Sequence, residues 1–195
     1  MSAAQKTVFS EYEARKIGVK FGDSEKHEIA ECIGSVEDTA DVKVITKKCR
    51  GVVRKKRVKA TGTGVLKVSL HLPWNWYTRI FGMKLATLID GVYAYGEESV
   101  HEPFSFTELV EDEDGNEKLK AYPNCIVETG KATKIENGAE EVAEVELEVS
   151  YSPDDYGNGQ YEALASEIDE AIAEKWLEEF TPELVRTTSA KRSET

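Results

Sequence analysis

The sequence predicts a single α+β domain, mainly β, with one short helix midway and a longer amphipathic helix near the C-terminal end. Three observations predict it. Two segments alternate apolar and polar residues with a period of two, VLKVSLHL (65–72) and VAEVELEVSY (142–151). Two hairpin dipeptides, Asp114-Gly115 and Asn137-Gly138, separate strand-like runs. After the break SPDDYGNGQ the apolar period changes to about 3.6 residues.

In chain order, Val42 to Thr46 is the first clear candidate strand. A basic segment follows, then a predicted turn at Gly62-Thr63-Gly64. In the next strand Leu66, Val68, Leu70 and Leu72 share one face, and Lys67, Ser69 and His71 the other. Pro73 ends this strand and opens a short helix. Trp74, Tyr77 and Phe81 recur along it at helical spacing as a core stripe, and Gly82 closes it.

Asp114-Gly115 joins FSFTELV to KLKAYPNCIVE. Asn137-Gly138 joins CIVETGKATKI to VAEVELEVSY, whose residues Ala143, Val145, Leu147, Val149 and Tyr151 share one face. The C-terminal helix is predicted from Tyr161, Leu164, Ile168, Ala171, Ile172, Leu177 and Phe180, and it ends at Thr181-Pro182. The end, RTTSAKRSET, is polar and expected to fray. No internal repeat or linker divides the chain.

Bulk properties narrow the functional classes. The 195 residues are 40% apolar and 32% charged, a composition typical of a soluble domain. No apolar run approaches the roughly 20 residues that span a bilayer. The start, MSAAQKTVFSEYEARK, lacks an apolar signal region, so a reducing cytosol is the expected site of folding. Cys32, Cys49 and Cys125 are odd in number, far apart and without a CxxC, which argues against a disulfide framework. Each reads as a small apolar residue in or near a strand. A net charge of −12 disfavours a dedicated nucleic-acid binder, whose affinity is built on cations.

No catalytic residue, metal ligand or cofactor is assigned. His27, His71 and His101 form no zinc-type spacing. There is no GxSxG and no phosphate-binding loop, and the GxG of TGTGVLK is too weak a signal to use. EDEDGNE places its glycine too early for an EF-hand and reads as a hairpin turn. The many carboxylates select no pair at a fixed separation. An enzyme is therefore the weaker expectation.

The order of elements in IAECIGSVEDTADVK, TGTGVLKVSLHLP and YPNCIVETGKATKIENGAEEVAEVELEVSYSPDD resembles the major tail proteins, or tail tube proteins, of long-tailed bacteriophages. The nearest subgroup is the phi13-type family of phages of Gram-positive bacteria. The resemblance covers 17–185 as a single tail tube domain, with 1–16 as an N-terminal arm and 186–195 as a flexible polar tail. It implies a tail-tube-type β-sandwich or barrel. It also implies stacked, usually hexameric rings around a channel, with a continuous inner β-barrel and an extended inter-strand loop reaching the next ring. Tape measure, tail terminator and baseplate proteins are the implied partners, and phage DNA passes through without specific binding. The implied location is the virion tail, made in the bacterial cytoplasm, and related tubes occur in contractile injection systems and tailocins.

The segment KKCRGVVRKKRVK falls where that loop is expected. It holds Lys47, Lys48, Arg50, Arg54, Lys55, Lys56, Arg57 and Lys59 within a strongly acidic chain. As an inter-ring contact it would offset the repulsion between stacked acidic subunits and set register. Acidic partners are available at Glu97-Glu98, Glu111 to Asp114 and Glu167 to Glu179. The alternatives are a solvated loop that orders on meeting a partner, and a nucleic-acid patch, for which interleaved aromatics are missing. Glu144, Glu146 and Glu148 form either a lumen-facing wall that lets DNA slide or a solvated outer face. A monomeric host β-rich binding module is the rival function.

Overall fold

Eight strands form one antiparallel sheet in the computed structural model, which describes residues 8–22, 24–135, 137–138, 140 and 142–187. The strands are β1 (Glu13–Phe21), β2 (Glu28–Ala30), β3 (Ile33–Cys49), β4 (Val52–Leu70), β5 (Phe104–Glu111), β6 (Glu117–Val127), β7 (Val145–Ser152) and β8 (Tyr161–Leu164). Their order is β2-β1-β5-β6-β7-β4-β3, and β8 pairs a further stretch of β6. The short helix α1 (Trp74–Ile80) follows β4, and α2 (Glu170–Glu179) follows β8.

The sheet's inner face carries the main core. Ile17, Val19 and Phe21 of β1 meet Leu66, Val68 and Leu70 of β4, Phe104 and Phe106 of β5, and Leu147, Val149 and Tyr151 of β7. Trp76, Tyr77 and Ile80 of α1 close over them, followed by Phe81 and Met83. Each large side chain buried here contributes about 1.5–3 kcal/mol. A second core lies on the opposite face, where Trp176 and Phe180 pack on Leu109, Leu119 and Ala121 of β5 and β6. There Trp176 Nε1 donates to the Lys120 carbonyl (3.1 Å) and Thr107 Oγ1 to the Leu177 carbonyl (2.8 Å).

The inner face changes character along its length. On β5 the sequence Phe104, Phe106, Glu108, Val110 faces inward; on β6 Tyr122 is followed toward the strand's start by Lys120 and Lys118. Apolar residues gather under α1, and charged ones at the other end. A register shift opposite Phe104 and Phe106 takes in Pro123, which has no ladder donor to lose, so that Cys125 and Val127 also face the core.

Several predicted elements stand as expected. The Asp114-Gly115 turn joins β5 to β6; Gly115 has φ +80° and Asp112 Oδ1 accepts from the amides of Asp114 (3.0 Å) and Asn116 (2.8 Å). The alternation of β7 is strict, with Leu147, Val149 and Tyr151 buried and Glu146 and Glu148 exposed. In α1, Tyr77 and Phe81 are buried, but Trp74 is 60% exposed and stacks on Tyr77 from outside.

Others need correction. The C-terminal helix does not begin at Tyr161. Tyr161–Leu164 pairs with β6 as β8, a single 3-10 turn spans Ala165–Glu167, and α2 starts only where Asp169 Oδ1 caps the Ala171 amide at 2.9 Å. The spacing of Tyr161, Leu164 and Ile168 fits a helix, but the sheet edge offered by β6 captures the first of these segments. Gly62-Thr63-Gly64 is no turn either. It lies inside β4 as a bulge, with Gly62 at φ +80°. The hairpin turn is Arg50-Gly51, both with positive φ (50° and 79°).

The Asn137-Gly138 region belongs to a long connection, because β6 ends at Val127 and β7 begins at Val145, which leaves Ala143 and Glu144 outside the strand. Glu136, Ala139 and Glu141 lie outside the described residues, as do 1–7 and 188–195, which hold most of the predicted polar tail. Of the cysteines only Cys125 is buried; Cys32 and Cys49 are exposed, one beyond β2 and one at the end of β3.

Candidate functional site: a projecting basic ribbon

β4 pairs with β7 only over Gly64–Leu70, whereas its pairing with β3 continues to the Arg50-Gly51 turn. Beyond Gly64 the two strands therefore leave the sheet as a free ribbon. Val42 to Cys49 alone extends about 24 Å at the usual rise per strand residue. Every residue from 41 to 60 is exposed. The basic segment is thus strand, not loop, and all eight of its predicted contact residues lie on this ribbon or its turn.

The register sorts the ribbon into two faces. Cross-strand partners share a face, so Val42 with Ala60 and Val44 with Val58 form an apolar stripe. The opposite face carries Lys43 with Lys59, Ile45 with Arg57 and Lys47 with Lys55. Two of these three rungs set like charges directly across from each other, an arrangement that destabilises a ladder. Among the described residues none of these cations forms an ion pair. A shift between Lys47 and Lys48 leaves Arg54 as the unmatched residue. Val42, Val44, Ile45, Val52, Val53 and Val58 are each about half exposed. A two-stranded ribbon is marginal in water, and this one adds bare apolar surface and repelling rungs.

The ribbon's base, by contrast, is fixed. Thr61 Oγ1 donates to the Asp41 carbonyl (3.0 Å), and Thr63 Oγ1 to Asp41 Oδ2 (2.8 Å). Gly62 is held against the segment from Pro153 to Gly159, where added side-chain atoms would collide. Nearby, Tyr122 and Tyr151 donate to the two oxygens of Asp38 (3.0 and 3.1 Å), tying β6 and β7 to β3 below the ribbon.

The three candidate lumen glutamates divide. Glu146 and Glu148 are exposed on β7, opposite Ser69 and Lys67, and Lys67 is also opposite Glu37. Glu144 precedes the strand, and its carboxylate accepts from the Ser69 hydroxyl. With one lysine among four glutamates, this face is acidic. It forms a depression of about 490 Å³ lined in part by Ser35, Glu37, Lys67, Glu146 and Glu148.

Of the predicted acidic partner stretches, two are partly engaged within the chain. Arg15 meets Glu111 (3.5 Å), and Lys26 meets Glu178 (3.4 Å) and Glu179 (2.6 Å). Sequence reasoning missed Lys43 as part of the basic face and the valine stripe behind it. The alternation in VKVI was the available signal.

Together these features define a class: a β-rich domain that presents a long amphipathic basic ribbon from one end of its sheet. No protein-family model matches the chain, and no curated protein matches it. Among solved structures it is similar to the tube-terminating cap of the anti-feeding prophage, determined by cryo-electron microscopy. The identity is 14% and the TM-score 0.47, over 84% of this chain and 97% of that one.

Proposed function

We propose that the chain is a structural virion protein, the tail tube subunit of a long-tailed phage or a phage-derived particle. It polymerises as stacked hexameric rings, and the tube conducts DNA on ejection. The observation that carries this reading is the free ribbon, whose exposed apolar and cationic faces meet no partner among the described residues. A monomer gains nothing from it. A polymer of a −12 subunit gains a cationic link between acidic copies. The resemblance to tail tube proteins expects the contact with the next ring in the same stretch of sequence, Lys47 to Lys59, which supports this reading. The acidic face with Glu146 and Glu148 is the lumen wall in this reading, since negative charge lets a phosphate backbone slide. The role is structural and calls on no catalytic group. Tape measure, terminator and baseplate proteins are its further partners.

Negative-stain electron microscopy of the purified protein, across concentration and salt, tests the reading. Hollow rings or tubes of uniform width are expected. A single small particle at every condition, with or without the other tail proteins, would favour the rival monomeric binding module.

A further inference from the structure

The sheet stops short of closing on itself. The first residues of β3 (Ile33 to Val36) face Glu13 to Lys16 of β1 across a cleft of about 750 Å³, with Glu108 and Val110 at its floor. Among the described residues neither edge has a ladder partner on its cleft side: β2 covers β1 only at Ile17 to Val19, and β3 pairs only with β4. Glu108 is 2% exposed, and its Oε2 has no hydrogen-bond partner among the described residues. Lys120 stands directly across from it, but the Lys120 ammonium is committed to Glu11 at 2.9 Å. The rim cations are similarly committed, Arg15 to Glu13 (3.3 Å) and Lys16 to Glu31 (3.2 Å). A buried carboxylate oxygen without a donor is costly, and a cationic donor entering from the cleft is the group that would satisfy it.

The ribbon carries cations with no ion pair among the described residues, which is what a donor-less carboxylate at the floor of a cleft can accept. It cannot be the chain's own ribbon. The 17 residues of β3 place Cys49 about 50 Å from Ile33.

We propose that the β1–β3 cleft receives the ribbon end of a second copy, one of whose cations, Lys47, Lys55 or Arg57, donates to Glu108. This rests on the tube-subunit reading and names the receiving site of its ribbon.

The chain carries its own reporters. Cys49 is exposed at the ribbon end, and Cys32 is exposed between Glu31 and Ile33, which line the cleft. Assemblies formed from a mixture of isotopically light and heavy chains are treated with a short bis-maleimide and digested. Light–heavy Cys32–Cys49 links are the expected result. The link should vanish in Cys49→Ser and fall several-fold in Glu108→Gln, which keeps the shape and removes the charge. Rings or tubes that form without the Cys32–Cys49 link, or that link Cys49 only elsewhere, overturn the cleft as receiver while the tube reading stands. Failure of any assembly, with no inter-chain link, overturns both.

Discussion

Gly159 sits so close to Gly62 that a methyl group on Gly159 would overlap the Gly62 carbonyl oxygen. The contact joins the segment after β7 to the bulge from which the ribbon springs. Gly159→Ala is therefore expected to push the bulge aside and retilt the ribbon. Overpacking of this kind costs about 1–3 kcal/mol. For a domain of this size that is a fall in Tm of roughly 2–12 °C, checked by thermal unfolding of the unassembled protein.

Charge placement on the ribbon can be separated by face. Lys55→Glu with Arg57→Glu alters the basic face and turns the Lys47–Lys55 rung from repulsive to attractive. The unassembled chain should keep its unfolding free energy within about 1 kcal/mol, while stacking is lost. Arg54→Glu with Lys56→Glu alters the unmatched position and the valine side, and should weaken stacking less. Sedimentation and electron microscopy at matched salt compare the two, and added salt should weaken wild-type stacking too.

Two buried groups give opposite pH dependence. Burial pushes the Glu108 carboxyl up to about 7. The folded state thus holds a proton that the unfolded state releases, and stability falls as pH rises from the ordinary carboxylate value to about 7. Glu108→Gln should remove that loss and raise the stability of the unassembled chain at pH 8 by up to about 3 kcal/mol. Burial pushes His27 down to about 4, against the bond its ring makes with the Glu178 carbonyl. Here the unfolded state binds the proton, so stability falls as pH drops from about 6.5 to about 4. The two slopes oppose each other in the wild type between the carboxylate value and pH 6.5. Unfolding of Glu108→Gln and His27→Gln across pH should expose each slope, with opposite signs.

Asp38→Ala should be among the more damaging substitutions outside the main core. It strands the hydroxyls of Tyr122 and Tyr151, leaving only the Gln160 amide on Tyr122 (3.1 Å). Two lost partners cost roughly 2–4 kcal/mol, and denaturant titration measures it. Tyr151→Phe, which removes only one donor, should cost less than half as much.

Much of the sheet was legible in the sequence because local chemistry and tertiary outcome agree there. Asp112 and Gly115 make their turn with their own atoms, and the alternation of β7 matches a strand with one buried face. β8 was not legible, since the spacing of Tyr161, Leu164 and Ile168 suits a helix equally and only the free edge of β6 decides. Val42 to Thr46 was legible as strand, but the basic segment from Lys47 to Lys59 was misread as a loop because lysine and arginine mask a strand pattern whose branched apolar residues are only Val52, Val53 and Val58. Its facing charges depend on cross-strand register, which the bulges at Gly62 and Lys47 set and no local window contains. The inward position of Glu108 follows from FSFTELV alternation, but its orphaned oxygen does not. That depends on Lys120 turning to Glu11, which is far away in sequence.

The ribbon also gives β4 a gradient along its own length. Leu66, Val68 and Leu70 lie in the main core, while Val52 and Val53 hang on one ladder in open water. One continuous strand therefore runs from amides that exchange with solvent only on global unfolding to amides that exchange by fraying. Hydrogen–deuterium exchange read along this strand is a gauge of engagement. Protection that advances past Gly62 toward Val52 would report, residue by residue, how far a neighbour has taken hold.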